Sequence, residues 1–305
     1  MTFGLLRRHL ALGLLSMSLI ALQLVLMQTF SISQWHHFAY MVISIALLGF
    51  GAAGTLLALC RSWILPRGTT LLPLLLFSTA LAMAFAAGRV QLLFARFDSY
   101  LLPYDPAQAG LLLAVILLLS LPFFLGALAI GILFIEQAEQ IGITYFANLL
   151  GSGLGGLVGI AALSRFFPEQ LAPALALPAL AAGLLLLPPR RRWLQLIAAA
   201  TGVALALALA FPPALPLSQF KDLQKTLDLP DSRTRAIRND PYGQVRAVSS
   251  PTLRFAPGLS LSYQGPIPRG DALFSNGDWF GFVPAGSFSE AARLLDFTTQ
   301  GLPFA

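Results

Sequence analysis

Seven apolar runs without a charged residue constrain the fold of this chain more than any other feature. They cover residues 11–30, 38–60, 69–88, 110–135, 141–163, 170–187 and 193–211. An α-helix needs about 20 apolar residues to cross the hydrocarbon core of a bilayer. Inside lipid each backbone N–H and C=O must be paired, which favours helices over other conformations. We therefore predict a membrane α-helical bundle of about seven transmembrane helices, in which the sixth is the weakest because Pro173 and Pro178 interrupt it.

The composition excludes two broad classes of protein. Only 10% of the residues are charged and 57% are hydrophobic, whereas a soluble domain has about 25% charged residues. A water-soluble globule is therefore excluded, and so is intrinsic disorder, which needs low hydrophobicity. The net charge of +6 is typical of a nucleic-acid-binding protein. Most of the arginines before residue 211, however, lie between apolar runs, so we predict the lipid bilayer as partner and no nucleic acid.

The arginines predict an orientation, because Lys and Arg favour the cytoplasmic side of short loops. With a cytoplasmic N-terminus, the inner segments carry seven arginines: Arg7, Arg8, Arg61, Arg67, Arg190, Arg191 and Arg192. The outer loops then carry Arg89, Arg96 and Arg165. We therefore expect a multi-pass protein of a cell inner membrane with its N-terminus in the cytoplasm. Seven spans would leave the C-terminal part outside, but this parity depends on the weak sixth span and leaves the side unresolved.

A glycine repeat in the fifth run predicts a close contact between helices. Gly151, Gly155 and Gly159 share one helix face, and Asn148 lies on nearly the same face. Bare glycines let another helix backbone approach closely, and Asn148 could form a hydrogen bond across the contact. The segment 151–156 also matches G-x-G-x-x-G, but no strand precedes it, as a dinucleotide site requires. We predict no catalytic, cofactor-binding or metal-binding residue in this chain.

The sequence pattern predicts two amphipathic segments at the surface. Residues 89–109 are too polar to span a bilayer, and their apolar residues recur at helical spacing, which predicts an interfacial helix. Residues 212–232 predict an amphipathic connector. Its apolar residues at helical spacing are Leu217, Phe220, Leu223 and Leu227.

The polar C-terminal part predicts a small antiparallel β domain. Short apolar or alternating runs at residues 234–238, 244–249, 259–264 and 273–283 are typical of strands. Asn276-Gly277 indicates a hairpin turn, and residues 290–295 start a helix. The predicted domains are therefore the bundle at 1–211, the connector at 212–232 and the β domain at 233–305, with no Rossmann domain.

This order of features resembles that of bacterial spermidine synthase-like membrane proteins. Similar stretches are WHHFAYMVIS at 35–44, LPFFLG at 121–126, YFANLLGSGLG at 145–155, PYGQV at 241–245 and SPTLRFAPGLSL at 250–261. The resemblance implies a membrane anchor followed by the β domain that precedes a catalytic Rossmann domain. That domain would bind an S-adenosylmethionine-type donor for aminopropyl or related group transfer. It would need about 150 further residues, so we expect this chain to be the front section of a longer enzyme and inactive alone.

The resemblance implies no catalytic residue here. Soluble aminopropyltransferases carry a Leu-Asp-Gly turn and then a Gln, where this chain has Ser275-Asn276-Gly277 and Phe280. Two other functions stay open: a transporter or lipid-handling protein, and a non-catalytic membrane assembly module. A pocket formed by Gln23, Gln28, Tyr145 and Asn148 would favour the transporter or lipid-handling function. The expected protein partners are a separate catalytic domain or further copies of this chain in a homo-oligomer.

Overall fold

The computed structural model describes residues 2–34, 36–212, 214–253, 259–260, 262–265, 269–285 and 296–298. The chain divides into two compact units. The first comprises Met1–Ser31 and Trp35–Pro216, and the second comprises Ile32–Gln34 and Leu217–Ala305. Long apolar helices make up the first unit, and a small antiparallel sheet lies in the second. The predicted combination of an apolar helical part and a small antiparallel β part is therefore confirmed.

In its described residues the first unit contains nine α-helices, although the end of the first helix, from Ile32, belongs to the second unit. They are α1 (Thr2–Ser33), α2 (His36–Leu59), α3 (Arg61–Ile64), α4 (Gly68–Phe94), α5 (Pro106–Glu136), α6 (Ile141–Leu163), α7 (Pro168–Leu175), α8 (Leu177–Leu185) and α9 (Arg192–Ala210). In the described part of the chain, six helical segments are long and apolar enough to cross a membrane, and these contain α1, α2, α4, α5, α6 and α9. The sequence predicts seven such segments, and the sixth apolar run, at residues 170–187, is the one that forms no single long helix.

The sixth apolar run forms two short helices rather than one. The helix is interrupted at Ala176, between α7 and α8. Pro173 lies inside α7 and Pro178 in the first turn of α8, and neither can donate the backbone hydrogen bond of a continuous helix. Each helix alone is too short to cross a bilayer, since eight or nine residues rise only about 12–14 Å.

The pair α7–α8 nevertheless runs along the length of α4. Pro168, at the start of α7, lines a cavity together with Gly88 of α4. Further along, Gly183 of α8 lies against the ring of Phe77. Finally, the Arg191 guanidinium donates to the hydroxyl of Thr70. From Gly88 to Thr70 the helix α4 rises about 27 Å, so the segment from Pro168 to Arg191, which contains α7 and α8, covers nearly the thickness of a hydrocarbon core.

The prediction of an interfacial helix at residues 89–109 is wrong. Residues up to Phe94 continue α4, and α5 begins at Pro106. Phe94 is buried between two other rings, with centroids 5.3 Å from Phe30 of α1 and 5.3 Å from Phe38 of α2. These tertiary contacts favour a longer α4, although Arg89 interrupts the apolar pattern.

Two ends of the helical unit can be distinguished. At one end, Arg8 Nη1 lies 3.1 Å from Glu136 Oε2, and Glu136 also packs against Gly68. We call this the basic end, because Arg191 bonds there to Thr70, two residues after Gly68. The opposite end is where the last turns of α1 and α4 meet the start of α7 around a cavity.

The second unit is built on a four-stranded antiparallel sheet in the order β1-β2-β3-β4. Its strands are β1 (Arg233–Asp240), β2 (Gly243–Ser249), β3 (Gly270–Ser275) and β4 (Asp278–Pro284), preceded by the helix α10 (Asp222–Leu227). Phe274 and Leu223 are fully buried in its core. Asn276 and Gly277 have φ of 49° and 78°, so the predicted hairpin turn is present with the two positive φ angles of a type I′ turn.

The sequence predictions for the C-terminal part meet the structure unevenly. Within the described residues of the predicted connector, Asp222–Leu227 form a helix, and residues 214–218 before it are irregular. The run 259–264 forms no strand in its described residues, 259–260 and 262–264. The helix predicted at residues 290–295 lies outside the described residues.

Candidate functional site

The glycine repeat of α6 lies against α1. A β-carbon at Gly151 would overlap the backbone of Gly13, with its Cα only 2.7 Å away, and a β-carbon at Gly155 would lie 2.5 Å from the Met17 carbonyl oxygen. At Gly159 the nearest atom is Leu24 Cδ1, at 3.1 Å. The two backbones therefore come closest where side chains are absent on α6, and the contact loosens toward its C-terminal end.

Polar side chains join the same two helices beside the glycines. Asn148 Oδ1 lies 2.7 Å from Ser16 Oγ, which also lies 2.9 Å from the Leu12 carbonyl oxygen. One turn nearer the basic end, His9 Nε2 lies 3.2 Å from Thr144 Oγ1. Hydrogen bonds between apolar helices fix their register, because an unpaired polar group in hydrocarbon is unfavourable.

This geometry does not fit an S-adenosylmethionine-type donor. A nucleotide needs glycines that open a turn between a strand and a helix, but residues 151–156 lie within α6. Gly151 and Gly155 pack on α1, so no phosphate or sugar could approach them. In the described parts of the chain, the one sheet is antiparallel and offers no strand–turn–helix unit for such a donor.

A small buried cavity lies at the opposite end of the helical unit. It measures about 20 Å³ and lies between α1, α4 and α7. Thr29, Gln91 and Glu169 are its polar lining residues. Gln91 is only 4% exposed, and in the described residues its Nε2 and Oε1 have no hydrogen-bond partner, nor has Glu169 Oε2. A donor and two acceptors are thus buried around a space that admits one water-sized group.

A larger apolar cavity adjoins the small one. It measures about 450 Å³, lies between α4 and α9, and shares Gly88, Ala214 and Leu215 with the small cavity. Phe85, Leu92 and Phe211 give it an apolar lining, and Arg89 is its charged lining residue. The two cavities together combine an apolar volume with one guanidinium, one carboxylate and one amide. Such a set can bind an amphipathic molecule.

The four residues that would favour a transporter do not form this site. Gln23, Gln28, Tyr145 and Asn148 are absent from the linings of both cavities. Asn148 instead contacts Ser16, and the Tyr145 ring packs on Phe134 with centroids 6.4 Å apart. The polar cavity therefore lies elsewhere in the bundle than the sequence indicates.

The second unit contains a buried lysine beside the β3–β4 turn. Lys221 is only 2% exposed, and its Nζ donates to the Asn276 carbonyl and to Asp278 Oδ2, both at 2.8 Å. Burial lowers the pKa of Lys221, although the hydrogen bond to Asp278 opposes this shift. The ammonium holds the turn through these bonds, which offset only part of the unfavourable burial of its charge.

Sequence reasoning missed both Lys221 and the Gln91–Glu169 cavity. In the sequence, the position of Lys221 among other charged residues indicates an exposed side chain of the amphipathic connector. Gln91 is the single polar residue between Val90 and Leu92–Phe94, which is a local signal of a buried polar group. Its neighbour Glu169 is distant in sequence, so only the fold reveals the pair.

No protein-family model, curated protein or solved structure matches this chain. The likeness to spermidine synthase-like proteins therefore stays a prediction from sequence motifs.

Proposed function

We propose that this chain is a multi-pass membrane protein whose helical bundle anchors the small β unit at a membrane. The observation that carries the proposal is the set of six helical segments that are long and apolar enough to cross a bilayer. Large side chains exposed on α6, including Phe146, Leu149 and Leu157, support it, because such an apolar surface is suited to lipid rather than to water.

The broken pair α7–α8 supplies a seventh crossing in this proposal. The contacts of this pair with Gly88 and Phe77, and that of Arg191 after it with Thr70, follow α4 from one end to the other. A discontinuous helix is acceptable at membrane depth where protein surrounds it, and Ala176 at the break is fully buried.

The N-terminus is cytoplasmic in this proposal. Arg8 and Arg191 lie at the basic end. Of the other five arginines predicted to be inside, four adjoin these contacts or Gly68 in sequence, and Arg61 begins α3, on the segment that leads to Gly68. Arg89, Arg96 and Arg165 belong to segments at the opposite end. Seven crossings then bring the chain out of the cytoplasm at the end of α9.

As the sequence resemblance implies, the anchored β unit would serve a spermidine synthase-like protein as one wall of a substrate cleft. A separately folded Rossmann domain would bind the donor and carry out aminopropyl or related group transfer. The described residues of this chain would contribute anchoring and shape rather than a reacting group. An S-adenosylmethionine-type donor is cytosolic, so this function requires the second unit to face the cytoplasm.

The second candidate is a lipid-handling membrane protein. It is favoured by the adjoining cavities around Gln91, Glu169 and Arg89, which offer polar groups beside an apolar volume. It is also compatible with a second unit outside the cytoplasm, where the donor is absent.

Reporter fusions test the anchoring proposal and separate the two candidates. Alkaline phosphatase, active only outside the cytoplasm, would be fused after Phe166, after Arg192 and after Phe220. We expect activity after Phe166 and no activity after Arg192, and the result after Phe220 decides between the two candidates. Equal activity after Phe166 and Arg192 would disprove the crossing by α7–α8. A cytoplasmic Phe220 would favour the synthase-like function, and an external one would exclude cytosolic donor chemistry. Release of the whole protein by alkaline carbonate would contradict membrane anchoring altogether.

A further inference from the structure

The buried polar atoms around the small cavity lack partners that a ligand could supply. Gln91 presents an amide donor and an amide acceptor, and Glu169 presents a carboxylate oxygen. Buried polar groups are almost always hydrogen-bonded. A group that enters this cavity should therefore donate to two oxygens, and its size cannot exceed roughly that of one water molecule. A primary ammonium meets both conditions and also neutralises the carboxylate.

The adjoining larger cavity defines the rest of the ligand. Its Arg89 guanidinium suits a phosphate, which it can bind through two parallel hydrogen bonds. The remaining walls, which include Phe85 and Phe211, suit a hydrocarbon chain. Gly88 borders both cavities, so one molecule can occupy them together. The required ligand thus has an ammonium, a phosphate and an apolar chain in that order.

The position of the cavities is that expected for a lipid headgroup. Gln91 lies one turn from the end of α4, and Glu169 lies in the first turn of α7. The loop between α4 and α5 at the same end carries exposed Tyr100 and Tyr104. Tyrosines concentrate at membrane–water interfaces, which places the cavities at the depth of phosphate and amine groups.

We propose that these cavities bind one aminophospholipid with a primary ammonium, of the phosphatidylethanolamine class. The ammonium occupies the small cavity and donates to Gln91 Oε1 and Glu169 Oε2, while a phosphate oxygen of the same lipid accepts from Gln91 Nε2. The phosphate faces Arg89, and an acyl chain fills the cavity between α4 and α9. This inference rests on the membrane location of the bundle under the proposed function.

The test compares headgroups on the unaltered full chain. The protein, purified in detergent, would be mixed with phosphatidylethanolamine, its N-methyl and N,N-dimethyl forms and phosphatidylcholine, all with the same acyl chains. Native mass spectrometry would count the bound lipid. We expect phosphatidylethanolamine to bind at least about ten-fold more tightly than phosphatidylcholine, because two charge-assisted hydrogen bonds are lost on full methylation. Affinity should fall stepwise along the series, and equal binding of all four lipids would overturn the proposal.

Variants assign the preference to individual side chains. Glu169→Gln and Gln91→Met should each reduce the preference for the primary amine several-fold, because each removes one of the two acceptors. Arg89→Gln should weaken all four lipids alike, because they share the phosphate. Glu139→Gln removes an exposed carboxylate at the basic end and should change nothing. An unchanged preference in a folded Glu169→Gln protein would overturn the proposal.

Failure here can be distinguished from failure of the proposed function. Resistance to alkaline extraction would be measured on the same preparations. A protein that stays in the membrane but shows no headgroup preference would disprove the lipid site and leave the anchoring proposal standing. A protein released by alkali would disprove both.

Discussion

At the residue scale, the contact between α1 and α6 depends on atoms that the glycines lack. Gly151 and Gly155 meet backbone atoms of Gly13 and Met17, which cannot move aside, whereas Gly159 meets the flexible end of Leu24. Tolerance to substitution should therefore increase along the repeat toward Gly159.

Gly151→Ala should destabilise the protein by about 1–3 kcal/mol, the usual range for overpacking a close contact. Gly155→Ala should cost a similar amount and Gly159→Ala less. Thermal unfolding in detergent would measure the loss of stability in each of the three variants and so their order. Gly153→Ala is the matched control, because a β-carbon there meets no atom within 4 Å and alanine favours the helix. Equal losses at positions 151 and 153 would show that backbone contact is not the cause.

A second residue-scale prediction concerns Lys221, whose pKa burial lowers from 10.5. Between the lowered pKa and 10.5, the unfolded chain binds more protons than the folded chain. The free energy of unfolding of the second unit should therefore rise as the pH increases through this window. Lys221→Met should abolish the rise, while Lys225→Met, at an exposed position, should keep it. Both slopes would be measured by urea unfolding in detergent, followed by the fluorescence of Trp279 in a background where the other three tryptophans, Trp35, Trp63 and Trp193, are replaced by phenylalanine. A wild-type stability that falls with pH would contradict the assignment.

The sequence reveals local features at this scale and misses distant ones. The spacing of Gly151, Gly155 and Gly159 places them on one face by helix geometry alone. In contrast, Gln91 and Glu169 come together only through the course of α7–α8 along α4. Lys221 was missed for a related reason: its burial depends on the β3–β4 turn, which lies far along the chain.

At the scale of elements, the β3–β4 hairpin depends on a turn that the sequence predicts. Asn276 does more than adopt a positive φ. Its side-chain Oδ1 accepts a hydrogen bond from the backbone N–H of Gln244 at 2.8 Å, and its own backbone N–H donates to the backbone carbonyl of Gln244 at 2.8 Å. The turn is thereby tied to β2 as well as to its own hairpin.

Gly277→Ala should loosen this hairpin. Gly277 has φ of 78°, and a β-carbon there would lie 2.9 Å from the Ile32 carbonyl oxygen. We expect the hairpin to lose about 1–2 kcal/mol of stability, because alanine is unfavourable at positive φ. This loss would be seen as faster hydrogen exchange in β3 and β4. Gly281→Ala in β4 is the control, because its β-carbon would meet no atom within 4 Å. Unchanged exchange in the Gly277 variant would refute the argument.

Element boundaries were predicted best where apolar length alone decides them. Six apolar runs correspond to single long helices that overlap them, and the alternating runs around Val245 and Phe274 became strands. The end of α4 was mispredicted because Phe94 is held by Phe30 and Phe38 from other helices. The break in the sixth run follows from Pro173 and Pro178, but its path along α4 required the tertiary structure.

At the scale of the whole molecule, the arginine asymmetry should determine orientation in the membrane. Removing two of the seven inner arginines with Arg190→Gln and Arg192→Gln weakens this bias. We expect the phosphatase fusion after Arg192 to gain activity in a measurable fraction of molecules. Arg96→Gln with Arg165→Gln, which removes outer charge, should not raise that activity. An unchanged reporter in the first variant would mean that the arginines do not set the topology.

The pairing of α1 with α6 has a consequence for biosynthesis. Ser16 and Asn148 are 132 residues apart, and His9 and Thr144 are 135 apart. At translation speeds of about 5–20 residues per second, α1 leaves the ribosome roughly 7–27 s before its partner. During that interval the Ser16 hydroxyl can bond to the Leu12 carbonyl of its own helix, but His9 has no Thr144 to meet. We therefore expect the insertion machinery to retain α1 until α6 is synthesised, and a ribosome stalled before residue 141 to leave a nascent protein that quality-control proteases recognise.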